Sequence, residues 1–97
     1  MSSKCLAILG STGSIGRQTL QVARHLKLEV VALAAHGSID LLYEQIQEFH
    51  PQLVAVFDEK KAMELQKKIP GVRIVTGMEG LIEVASFKAS DLRIFLA

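Results

Sequence analysis

Three glycines stand three residues apart in the segment Gly10-Ser11-Thr12-Gly13-Ser14-Ile15-Gly16. A segment of this kind does its chemistry with the backbone. Between a strand and a helix, the first glycine makes the tight turn. The second has no Cβ and lets a pyrophosphate approach the main chain. The third lets the helix close on the sheet. The N–H groups of the first helical turn and the positive end of the helix dipole then face the anion. Thr12 and Ser14 add hydroxyl donors. The spacing is a variant of the dinucleotide-binding fingerprint. A tight strand–helix turn without a ligand uses the same residues, so the context of a βαβ unit is what gives the motif meaning.

The second strand of such a unit reads the adenine ribose. A carboxylate at its end bonds the ribose 2′-OH and repels a 2′-phosphate. Here the strand ends in Ala35-His36-Gly37-Ser38, and Asp40 comes only inside the following helix. The missing acid favours NADPH over NADH. His36, the Ser38 hydroxyl and the N–H groups of Gly37 and Ser38 are the expected phosphate donors, with an exposed loop histidine as the plainer reading of His36.

Arg17 places a cation in the first helical turn, where it opposes the dipole unless a phosphate lies nearby. A solvated arginine pointing away is the favoured expectation. Cys5 reads as a small strand residue, because no base or helix N-terminus accompanies it. His25 and His50 fall near helix ends, where a cation is favourable. Lys60, Lys61, Lys67 and Lys68 alternate with Glu59 and Glu64 and read as a solvated helix face. No HxxxH, CxxC or carboxylate cluster points to a metal, and no nucleophile elbow or triad is visible. The expectation is a cofactor site with no catalytic and no metal-binding residue.

The elements that must position these groups follow from apolar periodicity. Strands are expected over 6–9, 30–35, 53–57, 72–75 and 92–97. Helices are expected over 14–26, 38–49, 59–68 and 78–85. In the first helix, Ile15, Thr19, Val22, Ala23 and Leu26 form the expected inward face. In the second, Leu42, Ile46 and Phe49 turn inward behind a Ser38 cap, and Pro51 marks its end. Asp58 occupies the N-cap of the third, whose stripe is Ala62, Leu65 and Ile69. Pro70-Gly71 is a turn. The fourth strand is the most polar and suits a sheet edge, and Gly80 dilutes the last helix. Arg93 interrupts the final apolar run. Alternation of strands and helices gives an α/β, doubly wound, Rossmann-like parallel sheet of about five strands with helices on both faces. The preferred strand order is 4-3-2-1-5, which puts the ligand crevice at the switch point beside the first strand.

The whole chain, 97 residues and 49% hydrophobic, suits one small domain. Eleven Lys and Arg against ten Asp and Glu leave a net charge of +1, too little to drive nucleic-acid binding. One cysteine excludes an internal disulfide and fits a reducing compartment. No run approaches the ~20 apolar residues of a membrane span. The expectation is a soluble, cytoplasmic protein without nucleic-acid or membrane partners. A buried strand as the last element predicts a Rossmann-like domain over 1–97 that is incomplete at its C-terminal end.

Leu6-Ala7-Ile8-Leu9 with the glycine segment, then Thr19-Leu20, resembles the N-terminus of the 1-deoxy-D-xylulose 5-phosphate reductoisomerase family. So do Val30 to Ala35 with Leu41-Leu42 and Gln45, then Phe49-His50-Pro51, Val54-Ala55-Val56 and Val75-Thr76-Gly77. The resemblance implies an enzyme that reduces and rearranges 1-deoxy-D-xylulose 5-phosphate to 2-C-methyl-D-erythritol 4-phosphate in the non-mevalonate route to isoprenoids. It implies NADPH, Mg²⁺ or Mn²⁺, and a homodimer of much longer chains. The family's cofactor-contacting Thr-Gly-Ser-Ile falls on Thr12, Gly13, Ser14 and Ile15. A second contact segment, commonly Gly-Lys-Asn, falls on His36, Gly37 and Ser38 without matching. The metal carboxylates, substrate phosphate site and lid of the family lie beyond residue 97, so this stretch alone is expected to be inactive. Two other readings share the opening motif: the N-terminal part of an NADP-dependent semialdehyde dehydrogenase, and a non-enzymatic nucleotide-binding module.

Overall fold

The computed structural model describes residues 5–87 and the backbone of residues 92–95. Five strands alternate with four helices: β1 (Cys5–Leu9), α1 (Ser14–Leu26), β2 (Glu29–Ala35), α2 (Ile39–Phe49), β3 (Leu53–Val56), α3 (Glu59–Lys68), β4 (Arg73–Thr76), α4 (Gly77–Ala85) and β5 (Leu92–Phe95). The strands form one sheet in the order β4-β3-β2-β1-β5. Every pairing is parallel. This is the expected doubly wound arrangement, with β4 at an edge. Residues 96 and 97 of the expected last strand, and the side chain of Arg93, lie outside the described residues.

The two faces of the sheet differ in bulk because side chains alternate along each strand. One face carries Leu6, Ile8, Val30, Leu33, Val54 and Val56, packed with Leu20 and Ala23 of α1, Leu42 and Ile46 of α2, and Ala62 and Leu65 of α3. The other carries Ala7, Ala32, Ala34, Leu53 and Ala55, covered by Val84 and Leu81 of α4. The three crossovers from β1 to β4 place α1, α2 and α3 on the branched face, and the return to β5 takes α4 across to the alanine face, as right-handed connections require.

Helix α1 is rotated relative to expectation. Its buried residues are Gly16, Leu20 and Ala23, while Ile15, Val22 and Leu26 are 60%, 54% and 59% exposed. The expected inward stripe therefore holds only for Ala23. The cause is Gly16. A Cβ there would lie 2.1 Å from the Gly10 carbonyl oxygen and 2.8 Å from Ser11 Cα, so this face must meet the sheet. Apolar count alone points to the wrong side. Gly80 departs from expectation in a similar way. It is buried, and a Cβ there would reach Val75 at 3.0 Å, so it is a packing contact rather than a weak point in α4.

The helix ends follow local chemistry. Asp58 caps α3, its carboxylate accepting from the Lys61 N–H at 3.1 Å. Ser38 occupies the N-cap of α2, but its hydroxyl makes no capping bond. His50 ends α2 with φ of 50°, its N–H donating to Ile46 O at 2.9 Å, and His25 lies in the last turn of α1. Strand β3 stops at Val56, one residue before the expected end, and Phe57 turns outward.

Arg24 of α1 donates to both carboxylate oxygens of Glu48 on α2. Arg24 also lies 5.6 Å from the centre of the Phe49 ring. The guanidinium hydrogen bond holds the Glu48 carboxyl below its ordinary value of 4.5. A depressed carboxylate stabilises the fold above its unfolded pKa and loses that effect as pH falls through the folded value. Glu48→Gln is therefore expected to lower the thermal midpoint slightly near neutral pH and to flatten its fall below about pH 4.5, as followed by circular dichroism. The Gly16 contact gives a second test. Gly16→Ala gains helix propensity, yet overpacking is expected to lower the melting midpoint by at least about 5 °C. A raised midpoint would show that the helix is free to move off the turn.

Candidate cofactor site

The glycine segment leaves β1 and enters α1 within four residues. Gly10 has φ of 85°, the left-handed region that favours glycine. The N–H groups of Gly10 and Ser11 both donate to Ala34 O, at 2.8 and 3.0 Å, which ties the turn to the end of β2. The Gly13 N–H donates back to Gly10 O at 3.1 Å. From beneath, buried Gln45 of α2 donates its Nε2 hydrogen to Ser11 O at 2.9 Å. The turn is thus held from three sides.

Its outer side is open. Gly13 is the N-cap of α1, and no side chain caps this helix. Among the described residues, α1 is the one helix with no acidic side chain in its first turn. Gly13 is in addition the one glycine of the three that the fold does not require. Its φ is −76°, and a Cβ there would meet only Gly10 O, at an ordinary 3.5 Å. The first-turn N–H groups lack intrahelical acceptors by geometry. They are presented to solvent over a glycine that leaves room for an approaching anion.

Two hollows flank the turn. An apolar crevice of about 420 Å³ lies at the carboxyl ends of the strands, with Leu9, Gly10, Ala34, Ala35, His36, Phe57 and Leu81 on its walls. His36 is exposed and stacks on Phe57 with ring centres 5.3 Å apart. A more polar cleft of about 580 Å³ is lined by Thr12, Arg17, Gly37, Ser38, Asp40 and Lys61, among others. The β2–β3 pairing continues past the strand ends, Phe57 N–H to Ala35 O and Asp58 N–H to His36 O, both at 3.0 Å. No carboxylate follows β2 before Asp40, and Asp40 pairs with Lys68 at 3.7 Å.

The sequence-derived residues divide accordingly. Gly10 and His36 border the crevice. Thr12, Gly37 and Ser38 border the cleft. Gly13, Ser14 and Ile15 stand exposed at the helix start. Gly16 is buried under the turn and serves its closure. Arg17 faces the cleft rather than away from it, with its Nε 3.4 Å from Gly13 O. Lys61, read as part of a solvated face, also borders the cleft. Gln45 went unassigned in the residue chemistry because a buried glutamine reads like any polar helix position until its partner is seen. Among the described residues no group of three His, Cys, Asp or Glu could hold a metal ion, and no helix is long and apolar enough to cross a membrane.

The family model for 1-deoxy-D-xylulose 5-phosphate reductoisomerase matches residues 6–95. The chain belongs to this family. The reductoisomerase of Protochlamydia amoebophila is 58% identical over 91 residues, covering 92% of this chain and 24% of that protein. A relative from Lachnoclostridium phytofermentans is 51% identical over the same shares. A crystal structure of DOX-P reductoisomerase with NADPH, fosmidomycin and magnesium superposes with a TM-score of 0.86 at 35% identity, over 93% of this chain and 23% of that one. The chain therefore spans about a quarter of the length of the reductoisomerases it matches. The family match sets aside the semialdehyde dehydrogenase reading.

The tie beneath the turn is testable. Gln45→Met keeps the volume and removes the donor, leaving the Ser11 carbonyl buried and unpaired. A loss of about 1 kcal/mol is expected, with faster amide exchange at Gly10 and Ser11. Unchanged stability and exchange would show that Gln45 does not hold the turn.

Proposed function

We propose that this chain is the NADPH-binding portion of a 1-deoxy-D-xylulose 5-phosphate reductoisomerase. The observation that carries the reading is Gly13. Backbone conformation requires Gly10 and packing requires Gly16, but neither requires Gly13. An exposed glycine at an uncapped helix N-terminus, beside a crevice at the carboxyl ends of the strands, fits a pyrophosphate bound to backbone N–H groups. Solved relatives hold NADPH and magnesium, and the lack of an acid at the end of β2 suits the phosphorylated cofactor.

Within this reading, Gly13, Ser14 and Ile15 hold the pyrophosphate, with the Thr12 hydroxyl beside them. His36, Gly37 and Ser38 take the adenosine end, and Gly10 and Gly16 set the shape of the cradle. Bound NADPH supplies the hydride for reduction of the rearranged phosphosugar. The residues of this chain bind and orient the cofactor, while substrate contacts, the Mg²⁺ or Mn²⁺ site and the catalytic groups belong to the rest of the protein. The whole enzyme is proposed to be a cytoplasmic homodimer acting in non-mevalonate isoprenoid synthesis. The 97-residue domain alone is expected to bind cofactor without turnover.

Cofactor fluorescence gives the test. The chain is expected to bind NADPH more tightly than NADH. Gly13→Val, whose Cβ would meet Gly10 O at an ordinary 3.5 Å, is expected to weaken both by at least about tenfold, with only a modest fall in the melting midpoint from the poorer N-cap. A folded wild-type chain that binds neither nucleotide, or a Gly13→Val variant that binds as well as wild type, would overturn the reading.

A further inference from the structure

We infer that Lys61, carried over Gly37 by the first turn of α3, is the cation that selects the 2′-phosphate of NADPH. The inference rests on the NADPH reading above and goes beyond it, because the turn after β2 supplies no fixed positive charge of its own. His36 is stacked on Phe57 at the apolar crevice, and Gly37 and Ser38 offer only backbone and hydroxyl groups.

Lys61 is brought to that turn by a chain of short contacts. The His36 carbonyl accepts from Asp58 N–H at 3.0 Å. The Asp58 carboxylate accepts from Lys61 N–H at 3.1 Å. The start of α3 is thereby fixed to the end of β2. The lysine stem then lies over the glycine: a Cβ on Gly37 would meet Lys61 Cγ at 3.6 Å. The lysine thus stands in ordinary contact range of residue 37 and borders the cleft that it shares with Thr12 and Ser38.

The charges around the cleft fit an incoming anion. Lys68 also borders the cleft, but it lies at the opposite end of α3 from the turn, beside Asp40 at 3.7 Å and 5.8 Å from the centre of the Tyr43 ring. Lys61 rests on Glu64 of its own helix at 3.8 Å, with both side chains about half exposed. Such an exposed pair is weak, so a phosphate of nearly two negative charges can recruit the ammonium. Arg17 forms no ion pair among the described residues and sits in the first turn of α1, beside the position of the pyrophosphate. The two cations therefore differ in role. Arg17 meets the phosphates common to both nucleotides, and Lys61 meets the one that NADH lacks.

Titration of the 97-residue chain with NADPH and with NADH, for the wild type and for Lys61→Ala, Lys61→Arg and Arg17→Ala, separates the possibilities. Lys61→Ala is expected to weaken NADPH about tenfold and NADH by less than about twofold. Lys61→Arg is expected to keep the preference, and Arg17→Ala to weaken both nucleotides in similar proportion. The inference is overturned if Lys61→Ala retains the wild-type preference, if it weakens both nucleotides equally, or if Arg17→Ala alone abolishes the preference. A wild-type chain that binds both nucleotides equally overturns the NADPH reading and this inference together. A selective wild type unmoved by Lys61→Ala overturns the role of Lys61 only.

Discussion

The approach of Gly16 to the Gly10 carbonyl is the contact on which the rest of this domain depends. It brings the start of a helix within backbone distance of the end of a strand, closer than any side chain allows. Once that contact is made, the rotation of α1 about its axis is fixed, and Leu20 and Ala23 fall onto the branched face of the sheet. The same contact aims the free N–H groups of the helix start at the space above Gly13. Packing and ligand chemistry are consequences of one steric condition, which is why a glycine at a buried helical position, normally unfavourable by about 1 kcal/mol, is retained there.

The remaining ties converge on the same place from other elements. Ala34 accepts two backbone bonds from the turn, Gln45 supports it from α2, and the β2 and β3 ends are linked by Asp58. These bonds join four segments distant in sequence at the carboxyl edge of the sheet. Backbone and side-chain bonds from several elements therefore meet at this edge, while the charged groups around it are paired only weakly and at the surface. A hydrogen-bonded frame with exposed charges suits a site that must hold an anion in one position.

Much of this was legible from residues alone. The strand and helix order, the parallel sheet, the edge position of β4 and the Asp58 cap all follow from local patterns, and local patterns are what periodicity and capping rules read. The inward face of α1 was not legible, because Ile15, Val22 and Leu26 outnumber the small residues that make contact. Periodicity weighs apolarity, whereas here the closest permitted distance decides. The nearness of Lys61 to Gly37 spans helix α2 and strand β3 and has no local signature. Gln45 is similar: a polar side chain inside a core is explained only by the carbonyl it satisfies. The sequence placed the cradle, but the tertiary contacts that support and charge it came from elements 24 or more residues away.

The alanines on the thinner face of the sheet bear on the crevice as well as on packing. Ala34 belongs both to the layer beneath α4 and to the wall of the crevice, where Leu81 of α4 stands opposite. Methyl-sized side chains in that layer let α4 ride low over the sheet. They thereby act as a spacer gauge: the height of α4, and with it the width of the crevice, follows from the thickness of an alanine layer that includes Ala34 on the crevice wall. Exchanges such as Ala32 for valine would be felt at the crevice although they lie beneath it, so that the dimensions of the pocket and the density of the core are in this domain a single quantity.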